Sequence, residues 1–253
     1  MTISSNRLAG KRAVITGGTT GIGFATARAF LDAGARVLIS GRSQDKVDAA
    51  VAELGDGAFG IAADSANLAD LDRLAAAAQE HLGDVDVLFA NAGNGMFAPL
   101  ADVDEALYDR QFDLNVKGAF FTVQKIVPLM RNGGSIILTA SAVHSKGAPG
   151  GSLYFASKAA VRSLSRTLAS ELGGAGIRVN TLSPGIVPTN FFANSNAPEA
   201  LYHDFEKMAG LGSPLGRAGT PEEQADAAVF LASEESRFMT AADLVNDGGW
   251  MNV

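Results

Sequence analysis

The chain of 253 residues carries a net charge of −7, with 20 Lys plus Arg against 27 Asp plus Glu, which argues against a nucleic-acid partner and gives no polybasic membrane signal. An apolar fraction of 47% with 19% charged residues describes a globular chain able to bury a core without staples, and zero cysteines exclude disulfides, thiolate metal sites and cysteine nucleophiles. Glycine is in excess, at 29 residues with no collagen period, so tight turns and close backbone approaches are expected.

Residues 1–6 lack the apolar core of a signal peptide. The longest uncharged stretch, 179–198, is broken by Asn180, Pro184, Pro188, Asn190, Asn194 and Asn196 and does not read as a membrane span. A soluble, cytoplasmic protein is expected, with no membrane partner. Short β-branched runs at 13–16, 37–40, 58–61, 85–90, 135–140, 177–182 and 244–245 alternate with amphipathic segments near 22–33, 43–54, 67–82, 104–131, 152–173 and 221–232. Runs that are apolar throughout suit a parallel sheet covered on both faces, and the alternation implies right-handed βαβ units. The spacing therefore predicts one domain over 1–253: an α/β, Rossmann-like doubly wound parallel sheet of about seven strands with helices on both faces. Gly34 reads as the end of the first helix, and Thr220-Pro221-Glu222-Glu223 as the capped start of the last. The stretch 187–213 breaks the rhythm, carrying Phe191, Phe192, Leu201, Tyr202, Phe205 and Met208 among prolines, glycines and asparagines. Such an insertion is a substrate loop, or else an excursion that packs on a partner subunit.

Thr16-Gly17-Gly18-Thr19-Thr20-Gly21-Ile22-Gly23 follows the first strand and opens the first helix. Glycines let backbone approach a pyrophosphate, and the helix start offers unpaired N–H groups to the anion. No Lys-Ser/Thr follows Gly23, so this is not a nucleoside-triphosphate loop. Alone, such a turn also admits the lesser reading of a tight strand-to-helix connection. The second strand ends Ser40-Gly41-Arg42-Ser43 with no acid at its tip. An acid there would bond the ribose hydroxyls and repel a 2′-phosphate, whereas Arg42 makes charge-assisted bonds to one. NADP(H) is therefore expected over NAD(H), with NAD(H) the alternative.

Tyr154 and Lys158 stand four apart near the start of a predicted helix and project from one face. A free tyrosine titrates near ~10, and an ammonium about 4 Å away is worth up to ~4 kcal/mol, so the lysine is expected to lower the phenol's pKa. Ser141 ends the fifth strand, at the sheet edge where ligands bind, and its hydroxyl would meet a substrate carbonyl beside the tyrosine.

Taken with Asp64, Asn91-Ala92-Gly93, Asn115, Pro184-Gly185 and the terminal Asp247-Gly248-Gly249, these motifs make the chain resemble a short-chain dehydrogenase/reductase of ordinary size over nearly its whole length. Ser141 lies thirteen residues before Tyr154, the usual family interval. The resemblance implies a catalytic set of Asn115, Ser141, Tyr154 and Lys158: Tyr154 exchanges the substrate proton, Lys158 lowers its pKa and bonds the nicotinamide ribose, Ser141 orients the carbonyl, and Asn115 holds a relay water. It implies cofactor contacts from Gly17, Thr19, Thr20, Gly21, Ile22, Arg42, Ser43, Asp64, Ser65, Asn91, Ala92, Gly93, Tyr154, Lys158, Pro184, Gly185, Val187 and Thr189. Two positions depart from common family patterns. Ala90 stands where a second asparagine is frequent, and Thr20 where some NADP(H) users carry a base, so the phosphate preference rests on Arg42 with Ser43 as helper.

The expected substrate wall is apolar: Ser141, Val143, His144, Tyr154, Phe191 and Phe192, with Met96 and Phe97 nearby. The resemblance implies hydride transfer between NADP(H) and a small-molecule carbonyl or alcohol, and this wall points to an apolar ketone or aldehyde. The family resemblance adds a homo-oligomer, a tetramer or dimer, formed through the helices at 104–131 and 152–173. The alternative is an NAD(P)-binding sensor on the same fold without turnover. A longer nucleotide-sugar epimerase, a Gly-x-Ser-x-Gly hydrolase and a His-ligated metal site have no support, since His81, His144 and His203 lack ligand spacing.

Overall fold

The computed structural model describes residues 6–131, 133–191, 195–196 and 212–253. Seven strands, β1 Arg12–Thr16, β2 Arg36–Gly41, β3 Ala58–Ala62, β4 Val87–Ala90, β5 Gly134–Thr139, β6 Ile177–Pro184 and β7 Asp243–Asn246, form one sheet. Their order is β3-β2-β1-β4-β5-β6-β7 and every pairing is parallel. The strand order reverses between β1 and β4, so the crossovers leave β1 toward one edge and β4 toward the other and open a crevice above the carboxyl ends.

The helices are α1 Gly21–Asp32, α2 Gln44–Leu54, α3 Leu68–His81, α4 Glu105–Phe112, α5 Ala119–Ile126, α6 Ser152–Leu172 and α7 Pro221–Ala232. Alternate residues of each strand feed two cores. Val14 and Leu38 pack toward Leu71, Leu74, Val123, Ile126 and Val161 on one face. Ala13, Ile15, Val37 and Ile39 pack toward Ala27, Phe30 and Ala228 on the other. This is the period-two alternation of a sheet buried on both sides.

Local signals act where the sequence places them. Thr220 and Glu223 form a reciprocal capping box at α7 with Pro221 in the first turn. Gly34 takes a left-handed φ of 92° just after Ala33 caps α1. The predicted long helix at 104–131 departs from expectation. Between α4 and α5 the chain runs as a π-helix over Asp113–Gly118, and a 3-10 turn over Val127–Leu129 carrying Pro128 closes it. At Gly118, the last residue of the π segment, a Cβ would meet the Ser65 carbonyl oxygen at 2.6 Å, so the helix passes the β3–α3 loop too closely for any side chain. Asn115 sits inside this π segment. Of the expected insertion at 187–213, residues 187–191, 195–196 and 212–213 are described and the remainder, Phe192 included, lies outside the described residues.

The β1–α1 turn fixes the floor of the crevice. Gly17 and Gly21 adopt φ of 65° and 56°, conformations that cost other residues steric strain. A Cβ on Gly23 would stand 2.1 Å from the Gly17 carbonyl oxygen and 2.7 Å from Asn91 Nδ2. Gly23→Ala is therefore expected to destabilise the fold by roughly 2–3 kcal/mol, the usual cost of forcing atoms into a packed site. A urea midpoint within experimental error of the parent would contradict that packing.

Candidate active site

A cleft of about 810 Å³ lies along the carboxyl edge of the sheet. It is lined by Gly17, Thr19, Thr20, Gly21 and Ile22 from the β1–α1 turn, Arg42 and Ser43 after β2, Asp64 and Ser65 after β3, and Asn91, Ala92 and Gly93 after β4. Ser141, Val143, Tyr154 and Lys158 form its opposite side, and Pro184, Gly185, Val187, Thr189 and Phe191 come from β6 and the segment after it. The sequence motifs thus converge on one surface although they come from six separate loops.

The floor suits a dinucleotide. Thr20 caps α1 through no side-chain bond and the first turn holds no acid, so its N–H groups stay available to an anion, whereas α3, α4 and α7 have capping side chains. Gly93 lets the backbone pass close to two site residues: a Cβ there would meet Asn115 Oδ1 at 3.2 Å and Lys158 Nζ at 3.3 Å. Asp64 is turned partly inward on its own loop, its carboxylate accepting from the Ala66 N–H at 3.0 Å.

Asn91 braces the centre. Its Nδ2 donates to the carbonyls of Thr16 and Gly17 at 3.2 and 3.3 Å, and its Oδ1 accepts from Thr139 Oγ1 at 3.3 Å. Lys158 Nζ in turn donates to the Thr139 carbonyl at 2.8 Å. Tyr154 and Lys158 occupy the first two turns of α6, both buried on its inner face. Tyr154 is hydrogen-bonded to Ser141, and the ammonium lies 5.9 Å from the centre of the phenol ring.

The electrostatics correct one expectation. Burial pushes the Tyr154 phenol up to about 12, opposed by the Ser141 hydrogen bond, and burial pushes Lys158 down to about 8. Desolvation of both groups outweighs their mutual attraction here, because the ammonium's near partner is the Thr139 carbonyl and not the phenol oxygen. The resting phenol is therefore a held proton, not a phenolate.

Three further expectations meet a different geometry. His144 does not line the cleft: its Nε2 lies 2.6 Å from Asp243 Oδ2, pulled behind the Ser141 turn to a carboxylate that also accepts from Thr181 Oγ1 at 2.8 Å and Ser183 Oγ at 2.6 Å. Met96 is likewise absent from the lining, while Phe97 is present. The Asn115 side chain is occupied by protein partners, Nδ2 donating to the Asn94 carbonyl at 2.9 Å and to Ser157 Oγ at 3.0 Å, and Oδ1 accepting from the Asn94 N–H at 3.0 Å. Through these bonds it braces the wall.

The cleft also gathers residues that the sequence reading passed over. Lys46 lines it one helical turn beyond Arg42, and this spacing at the start of a helix was the available signal. Trp250 lines it from the far end of the chain, with Lys146 Nζ 4.4 Å from its ring centre. Only tertiary folding brings Trp250 there. Phe155, also unforeseen, joins the expected Phe97 and Phe191 around the Tyr154 ring, at centroid distances of 6.1, 5.5 and 5.3 Å respectively.

A doubly wound sheet with a glycine-rich dinucleotide floor and a Ser–Tyr–Lys group beside it defines a nicotinamide-dependent oxidoreductase. A family model described as Enoyl-(Acyl carrier protein) reductase matches residues 17–251. The chain is 48% identical to "Oxidoreductase asL5" of Sarocladium schorii over 98% of both chains. It is 38% identical to the human Dehydrogenase/reductase SDR family member 4 over 96% of this chain and 88% of that one. It is 36% identical to a sorbitol dehydrogenase of Cereibacter sphaeroides over 97% and 100%. A crystal structure of a short-chain type dehydrogenase/reductase from Mycobacterium marinum superposes with a TM-score of 0.90 at 35% identity, covering 97% of each chain. The chain belongs to the short-chain dehydrogenase/reductase family, whose members use NAD(P) and act on alcohol and carbonyl groups. Among the described residues no helix is long and apolar enough to cross a membrane, and no cluster suited to a metal ion is present.

The buried lysine carries a pH signature. Its pKa is about 8 in the fold against an ordinary 10.5. The unfolded chain therefore binds the extra proton between those values, and wild-type stability rises with pH across that window. Relative to Lys158→Met, the parent should gain about 2 kcal/mol between pH 7 and pH 9.5. Urea unfolding of both proteins at the two pH values measures it; a constant difference would mean that the amine titrates normally.

Proposed function

We propose that the protein is an NADP(H)-preferring carbonyl reductase and alcohol dehydrogenase acting on apolar, ring-bearing ketones or aldehydes. The carrying observation is the buried Tyr154 ring set among three phenylalanine rings at the end of the cleft that Ser141 and Lys158 also line. In reduction, Tyr154 Oη passes its proton to the carbonyl oxygen while the Ser141 hydroxyl donates a hydrogen bond to the same oxygen as negative charge gathers there. When bound, the dihydronicotinamide supplies the hydride that the carbonyl carbon accepts. Lys158 steadies the phenolate left behind, and in alcohol oxidation the same phenolate takes the hydroxyl proton. Asn91, Asn115 and Ser157 hold the surrounding backbone and act through position.

Phe97, Phe191, Val143 and Trp250 support an apolar substrate, because a polyol would leave its hydroxyls facing carbon. Relatives named for sorbitol and galactitol support CH–OH chemistry in general. Arg42 and Lys46, both solvent-exposed at the ribose end of the cleft, support a 2′-phosphate. The reading includes a cytoplasmic homo-oligomer, tetramer or dimer, assembled through α4, α5 and α6, with Tyr108 and Phe120 exposed on the first two.

Tyr154→Phe is expected to lower kcat by about 10²–10⁴-fold, the worth of general acid catalysis, with NADPH affinity little changed. Near-parental turnover of an aromatic ketone, followed as NADPH absorbance, would remove Tyr154 from the mechanism. Arg42→Asp and Lys46→Ser are each expected to cut the NADPH-to-NADH ratio of kcat/KM by about tenfold or more, since a charge-assisted bond contributes roughly 1.5–3 kcal/mol. A ratio that stays constant in the double variant would assign the preference elsewhere.

A further inference from the structure

We infer that Gln111, a residue outside the cleft, is a positioning residue for substrate selection that sets the aromatic wall beside Tyr154; the inference rests on reading that cleft as an apolar carbonyl site. Gln111 is fully buried in α4 and does not line the cavity. Both ends of its amide nonetheless hold the cleft wall: Oε1 accepts from the Met96 N–H at 2.6 Å and Nε2 donates to the Asn94 carbonyl at 3.1 Å. One turn on, Asn115 grips the N–H and carbonyl of Asn94 as well. The two amides run beside residues 94–96 much as a neighbouring strand would.

Between the gripped residues lies Gly95. A Cβ there would meet Phe191 Cζ at 2.5 Å and Phe97 Cε2 at 2.7 Å, so both rings close over this point of the loop. These rings flank the phenol at centroid distances of 5.3 and 5.5 Å. Any drift of the 94–96 backbone is passed directly to Phe97. An aliphatic residue would fill the inner face of α4 without the desolvation cost of an amide, and that cost is offset here by bonds to the wall alone. The geometry therefore gives Gln111 a task in shaping the slot, carried out through Phe97 and not by touching the substrate.

The chain's single tryptophan, Trp250, lines the same cleft and reports binding without turnover. With NADP⁺ present, which cannot reduce it, acetophenone is the probe: its Kd comes from quenching of Trp250, and KM and kcat come from separate assays of NADPH consumption. For Gln111→Leu the acetophenone Kd and KM are expected to rise about tenfold, with kcat and NADPH affinity changed by less than about threefold. Gln111→Glu keeps the acceptor for Met96 and loses only the donor. It is expected to show a smaller loss that shrinks at low pH, where a protonated carboxyl regains that donor, a dependence that a mere filling role would not produce. In a Phe97→Ala background, Gln111→Leu should add less than about twofold, because both act on one wall. Full additivity, or an equal loss of NADPH and acetophenone affinity, overturns the proposal. Quenching without reduction in the parent fails the enzymatic reading while leaving the Gln111 comparison readable; neither quenching nor reduction overturns the apolar site and this inference together.

Discussion

Three strand ends are tied together at the crevice by a single side-chain amide. Asn91 holds the carbonyls of Thr16 and Gly17 with its nitrogen and the Thr139 hydroxyl with its oxygen, while its own backbone N–H donates to Thr16 Oγ1 at 3.0 Å. The Thr139 carbonyl then receives the Lys158 ammonium. A polar chain therefore runs unbroken from the glycine turn, across β1, β4 and β5, to the base of the proton machinery. It lies at the reversal of strand order, where diverging crossovers leave backbone groups without strand neighbours. Every chemical assignment made for the cleft assumes that these ends keep their relative positions.

Burial decides the protonation states on that frame. Tyr154 and Lys158 are both removed from water, and each is pushed toward its neutral form. Their closeness in sequence suggests direct charge stabilisation of a phenolate, but the ammonium is anchored to a carbonyl and the phenol keeps its proton. A group that must deliver a proton to a forming alkoxide is better served by this arrangement than by one ionised in advance. The rings around Tyr154 contribute to the same effect, since they exclude the water that would restore its ordinary acidity.

Much of this was legible in the linear chain. Fully apolar runs marked a sheet covered on both faces, Thr220-Pro221-Glu222-Glu223 marked a helix start, and the glycine turn, Ser141, Tyr154 and Lys158 appeared at intervals that only one architecture brings together. What escaped depends on distant contacts. Nothing near Trp250 announces that the C-terminal residues reach the cleft, and nothing near His144 announces a carboxylate ninety-nine residues away on β7. The π segment at Asp113–Gly118 has no signal in the linear chain, where nothing shows that Gly118 will pass close to Ser65. The phenol's acidity was misjudged because spacing reports proximity along a helix and says nothing about how much water remains.

The His144–Asp243 contact divides the site into two halves with different freedoms. Ser141 opens a turn whose other end is pinned through His144 to Asp243 of β7 and to two hydroxyls of β6, so this half is fastened to one edge of the sheet. The facing half, carrying Phe97 and Phe191, hangs on loops and shares none of those anchors. Descendants of this chain can exchange the facing rings for other side chains and drift toward new molecules while their reaction chemistry stays intact.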